Sequence, residues 1–219
     1  MADTTVPKAV TGTATVPQAM TPGLEIFTDA PAPEPPRPRV LLVGTAFAAG
    51  GAAVGLCALV ALYAQVRTQS LGTEGSWLPE DALLPLTPGN MGLLTLVMSM
   101  VTAAWAVYAL RNDDRTHAWL AIAVTLVFGA AFITDTAYLW QQSGLVIGEQ
   151  PQAVLIYTIT GAHVAMVVAG MLYLLVMGFR SLGGQLTGRA AEGVEAAVLF
   201  WYVTIAVYAV VWYTIYVTK

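Results

Sequence analysis

The sequence predicts an all-α, polytopic membrane protein with five transmembrane helices, and three observations predict it. Charged residues make up 10% of the 219-residue chain and apolar ones 57%, whereas a soluble domain carries roughly 25% charged residues. The apolar residues are gathered into five runs, each long enough to supply the roughly 20 helical residues that cross a hydrocarbon core. In the third run, Trp119 and Trp140 lie about 30 Å apart at helical rise. Indole rings favour the two interfaces, so this pair measures one membrane thickness.

Residues 1–38 hold eight of the twelve prolines and end in "APAPEPPRP". Such a stretch buries too little surface to offset its ordering entropy, so a disordered, Pro-rich N-terminal tail is expected, followed by a helical domain over 39–219. No apolar h-region follows the start, so a cleaved signal peptide is not expected. The first span, roughly Val40–Val66, is built from small residues. Gly51 and Gly55 form a GxxxG that Gly44, Ala48 and Ala52 extend. Small residues let helix backbones approach closely in lipid. The stripe suits either a face for another subunit or packing inside the five-helix unit, and composition leaves both open.

The loop "RTQSLGTEGSWLPEDALLPLTPGN" follows. Pro79, Pro85 and Pro88 are expected to break any helix there, and Trp77 with Leu83, Leu84 and Leu86 to form a flap on the membrane face. Asn90 is placed to cap the second helix after the Pro88-Gly89 turn. The second span, Met91–Leu110, joins the third, Ala118–Trp140, through "RNDDRTH", a link short enough to make them antiparallel neighbours. Ala153–Met177 and Ala196–Val217 complete the set. Lys8, Arg37, Arg39, Arg111, Arg115, Arg180 and Arg189 fall on one side of the membrane, and only Arg67 and Lys219 on the other. The positive-inside rule then puts the N-terminus inside and the C-terminus outside.

Composition also narrows the chemistry. Cys57 is the only cysteine, so there is no disulfide framework, CxxC or haem-attaching CxxCH. No basic cluster points to nucleic acid. The ionisable groups within the spans are Asp135, His163 and, at the inner edge of the last helix, Glu195; each should face protein or water. They lie near the outer end, the middle and the inner end of three different helices, which permits a proton relay without requiring one. Met166 lies three positions after His163, and a His/Met pair can ligate haem or copper. Such a centre draws on more ligands than this, and His117 lies in an inner loop. His163 is therefore expected to be a polar tie, hydrogen-bonded to a facing hydroxyl or carbonyl. Scattered Ser, Thr and Tyr residues lack a base–orienter partner, so nucleophilic catalysis is not expected.

The order of features resembles cytochrome c oxidase subunit III in its short, five-helix bacterial form. "ALYAQVR" followed by "SWLPEDALLPLTPGNMGLLT" is similar to that family's first retained helix and Trp-Pro-rich loop. "LRNDDRTHAWL" resembles its charged inner turn, and "YTITGAHVAMVVAG" its Thr-Gly-x-His-x-x-His-x-x-x-Gly helix. "EGVEAAVLFWYVTIAVYAVVWYTIYVTK" is similar to the terminal helix. The matched positions are Thr160, Gly161, His163, Gly170, Glu195, Trp201 and Tyr216, read as structural and packing residues. Four departures stand out. The family's mid-membrane glutamate falls on Ala52, and a second one falls on Leu139, with Asp135 one turn earlier. The motif's second histidine is Met166, and the terminal Trp-His-Phe-x-Asp reads "WYVTI", leaving Tyr202 and Ile205 where the polar members stood.

The resemblance implies a divergent member with no catalytic centre, metal or cofactor of its own. It implies haem and copper in partner subunits, packing against the catalytic subunit I together with subunit II, and a V-shaped bundle whose cleft holds phospholipids. Gly51, Ala52 and Gly55 would line a subunit or lipid face. The place implied is the plasma membrane of a bacterium, with membership of a larger respiratory supercomplex left open. Three other readings stand beside this one: a subunit III-like accessory of a nitric oxide reductase, a proton-coupled transporter using Asp135, His163 and Glu195, and an interaction anchor whose proline arm recruits an electron carrier or another complex.

Overall fold

In the computed structural model, residues 39–79, 82, 84–148, 151–183 and 191–218 are described. Five α-helices follow one another: α1 (Val40–Glu74), α2 (Leu86–Arg111), α3 (Arg115–Gln142), α4 (Pro151–Leu182) and α5 (Glu192–Trp212). All five are long and apolar enough to cross a membrane, and no strand occurs among the described residues. The expected tail over 1–38 lies outside the described residues, as do Lys8, Arg37, Leu83, Arg189 and Lys219.

Local chemistry sets the helix ends. α1 continues past Val66 to Glu74 and stops at Gly75, whose φ of 74° supplies a left-handed cap that glycine adopts without steric penalty. The polar residues after Val66 do not end the helix, because a helix leaving the bilayer is hydrated rather than broken. α2 starts at Leu86, with Pro85 extended before it. Asn90 is therefore not its cap; it sits one turn inside, and its Oδ1 accepts from Trp212 Nε1 at 2.9 Å. Pro88 stands in the first turn, where a missing N–H costs no helical hydrogen bond.

The α2–α3 link is tight. Asp113 takes φ 57°, Asp113 N donates to Leu110 O at 3.1 Å and Asp114 N to Ala109 O at 2.9 Å, the two bonds of a Schellman closure. Asp114 then caps α3 by accepting from His117 N at 3.1 Å. A reversal this short makes α2 and α3 antiparallel partners.

The loop after α1 is anchored in the bundle rather than laid on the membrane face. Trp77 and Leu84 are buried, whereas Leu86 is exposed. The Trp77 indole meets the Tyr63 ring edge-on at 5.3 Å and donates to its hydroxyl at 2.9 Å. A buried indole needs such a partner for its N–H.

α5 packs against α1, α2 and α4, while α3 packs against α2 and α4. Of α5's apolar window 56% is buried inside the chain, against 17% for α1. α5 is thus the central helix, and α1 turns most of its surface outward.

Candidate functional site

The polar residues of the bundle form ties between helices. Trp201 of α5 is at the centre, fully buried. Its indole lies between two glycines: a Cβ on Gly129 of α3 would meet it at 3.0 Å and one on Gly170 of α4 at 2.9 Å. The second distance is closer than real Cβ atoms come and the first is tighter than nearly all of them, so the absence of side chains there makes the slot. The indole Nε1 donates to Ser99 Oγ of α2 at 2.9 Å. One side chain therefore joins all of α2 to α5.

Three further α5 aromatics reach α2. Tyr202 donates to Met100 O at 3.1 Å, Tyr208 to Gly89 O at 3.3 Å and Trp212 to Asn90 Oδ1 at 2.9 Å. Tyr216 lies in the π-helical turn Tyr213–Val217 that extends α5, with its ring against Gly89, 3.0 Å from where a Cβ would stand. Sequence reasoning missed this seam. Ser99 and Asn90 were its legible half, since a polar side chain within a span must find a partner.

His163 of α4 is buried. Its Nε2 donates to the Thr204 carbonyl of α5 at 3.0 Å, which fixes the proton on that nitrogen. Its ring meets Phe132 edge-on at 5.4 Å and Tyr208 at 5.0 Å. Met166 instead lines a groove against α1. Among the described residues no group of three or more His, Cys, Asp or Glu converges on a point. These residues do not make a ligand set for haem or copper. Thr160 ties α4 to α3, accepting from Trp140 Nε1 at 3.0 Å.

At the end where α1 and α5 begin, Glu195 accepts from Arg111 Nε and Nη2 at 3.0 and 2.8 Å and lies 3.7 Å from Arg39 Nη1. Glu192 Oε1 accepts from Leu42 N at 3.2 Å, satisfying one of the amides that the first turn of α1 leaves unpaired. Beside the α2–α3 link, the Asp114 carboxyl is held below the usual carboxylate range. The chief cause is the backbone N–H of His117, with the His117 side chain, 2.6 Å away, adding to it.

The seven matched residues therefore do not converge on one site. His163 and Trp201 share the middle, Glu195 stands at one end, Thr160 and Tyr216 toward the other. Gly161 has nothing within 4 Å of a Cβ position, and neither do Gly44, Gly51 and Gly55 of α1. The α1 glycines are not used for close packing among the described residues. Next to them, Ala52, Gly55, Leu56 and Leu59 of α1 face Ala162 and Met166 of α4 across an apolar groove of about 440 Å³. Thr45 and Tyr173, hydrogen-bonded at 2.9 Å, hold the two helices together nearer the start of α1.

Comparison with known proteins matches residues 52–219 to the family model of cytochrome c oxidase subunit III. The chain belongs to the cytochrome c oxidase subunit III family. It is 30% identical over 154 residues to cytochrome c oxidase subunit 3 of Bos taurus, covering 69% of this chain and 56% of that protein. The same identity and shares hold for the Bos mutus grunniens protein. A probable cytochrome c oxidase subunit 3 of Rickettsia conorii is 29% identical over 133 residues, 59% of this chain and 47% of the relative. The chain thus spans about half the length of the curated subunit III relatives it matches. Trp201, Gly170, His163 and the open groove at Ala52 all lie inside the matched region, whereas Gly51 lies just outside it.

Proposed function

We propose that this chain is a non-catalytic accessory subunit of a haem–copper terminal oxidase, in which haem and copper belong to subunits I and II. Its work is to pack against the catalytic subunit and to hold phospholipid beside it in a bacterial plasma membrane, with the Arg39 end inside. The observation that carries this reading is the bare face of α1. Gly44, Gly51 and Gly55 leave open space where a neighbour's backbone or a lipid tail can lie. Small-residue faces of this kind drive association in lipid, where water supplies no hydrophobic push between helices. The α1–α4 groove is, in this reading, the lipid-holding cleft of a V-shaped bundle. Trp201, His163, Thr160 and Glu195 are engaged in ties between helices, which fits a brace better than a reaction centre. Thr160, His163, Gly170, Glu195, Trp201 and Tyr216 are then the ties of that brace.

Purification of the tagged chain from its native membrane in mild detergent tests this, with mass spectrometry of bound chains and lipids and an optical spectrum. Subunits I and II, phospholipid and a haem–copper signature are expected. A non-haem iron instead of copper would transfer the chain to a nitric oxide reductase. A chain that purifies alone, or that keeps haem after its partners are stripped away, would overturn the proposal.

A further inference from the structure

Asp135 is a carboxyl about two turns from the end of a lipid-crossing helix, and among the described residues it makes no hydrogen bond and no ion pair. Oδ2 of Asp135 lies 3.1 Å, and the Tyr208 hydroxyl 2.9 Å, from where a Cβ on Gly92 of α2 would stand. Yet the Tyr208 hydroxyl has one proton and donates it to Gly89 O at 3.3 Å. Arg67, the described cation at the same end of the bundle, forms no ion pair with Asp135. A carboxyl at such depth is costly unless a partner meets it, and the described residues supply none.

The surroundings make the carboxyl reachable from the side. Asp135 is partly exposed, and Ala131 and Tyr138, neighbours on the same face of α3, are exposed. Above it, toward the Trp77 loop, a cavity of about 730 Å³ opens between α2 and α3, with Thr87, Pro88, Tyr138 and Gln142 in its walls. Pro88 is one turn from Gly92, and Tyr138 and Gln142 follow Asp135 at helical spacing, so the cavity stands directly over the carboxyl.

We propose that this Asp135 notch between α2 and α3 is a docking point for a neighbouring membrane subunit that presents a lysine or arginine side chain from its own helix. Charge complementarity selects the partner. Depth selects a protein over a lipid. Trp140, the residue that marks the interface, is five positions further along α3, about 7 Å nearer the surface. A lipid ammonium stays at that level, whereas a long basic side chain from an adjoining helix can run down or up several ångströms to reach a carboxyl. The notch lies on α2 and α3, away from the bare face of α1, so it gives the chain a second point of attachment. The inference rests on the accessory-subunit reading.

The test compares wild-type chain with Asp135→Asn, Asp135→Glu and Asp135→Lys in the native membrane. It measures how much of the tagged chain stays with its complex through a graded detergent challenge. Asn is expected to lower retention by about tenfold or more, Lys further still, and Glu to restore most of it, because losing one member of a desolvated pair leaves the other unpaired. Thermal unfolding of the purified chains keeps this separate from folding, and Asp135→Asn should melt as wild type does, since no internal partner is lost. Equal retention of Asn and wild type would overturn the docking point. So would an equal loss of chain stability, or a loss of bound aminophospholipid with the complex intact. A wild-type chain that retains no other subunit would overturn the functional reading itself.

Discussion

Trp201 of α5 donates its indole N–H to Ser99 Oγ of α2 at 2.9 Å, joining residues 102 positions apart in the chain. The bond sits in a slot cut by Gly129 and Gly170, so the ring has no other orientation open to it. Ser99→Ala would leave a buried N–H without an acceptor, which costs about 1–3 kcal/mol. Unfolding in mixed detergent should report that loss. Trp201→Phe combined with Ser99→Ala should cost less than the two single changes added together, because the pair is one interaction. Strict additivity would mean that the hydrogen bond contributes nothing.

His163→Leu is expected to leave the haem content of the purified complex unchanged and to lower the stability of the chain by about 1 kcal/mol. Leucine fills the space between Phe132 and Tyr208 but gives up the bond to the Thr204 carbonyl. The optical spectrum of the complex is the measurement. A lost haem band would give the imidazole a role beyond joining α4 to α5.

Gly55→Leu separates folding from association. Nothing stands within 4 Å of the new Cβ, so the chain should unfold within about 0.5 kcal/mol of wild type, the range of a substitution outside the packed interior. Retention in the complex, or the amount of bound phospholipid, should fall, because the bulky side chain fills the mouth of the α1–α4 groove. Unchanged retention and lipid content would remove α1 from the interface.

The cap of α3 should respond to acid. Asp114 has its carboxyl depressed below the ordinary 3.8, so the folded state binds its proton less readily than the unfolded state does. The stabilisation is complete above that ordinary value and is lost as pH falls below it, through the lower value of the folded chain. Amide exchange at His117 should quicken over that window. Asp114→Asn should keep the cap, since asparagine also accepts from the N3 amide, and should abolish the acid dependence.

How much was legible in the sequence follows from what is local. The five spans were, because the need for about 20 apolar residues in a helix is a property of each run by itself. The α2–α3 hairpin was, because a link as short as "RNDDRTH" leaves the chain no other course, and the structure shortens it to Asn112–Asp114. The helix ends were read less well. Pro88 looked like a breaker, but in a first turn it interrupts nothing, and the helix begins at Leu86. The polar stretch after Val66 looked like loop, but α1 ends only at the left-handed Gly75.

The sequence by itself determined the solvent of this protein, the number of its crossings and the poverty of its interior in titratable groups. Only the tertiary structure decided which way each helix turns. Periodicity cannot set that rotation when nearly every face of a helix is apolar, because lipid and protein interior ask for the same residues. Hence Gly170 and Gly55, alike in the sequence, part company in the fold: Gly170 makes room for Trp201, and Gly55 opens onto bare surface. The partners of Ser99, His163 and Glu195, and the lack of one for Asp135 among the described residues, are products of the same rotations.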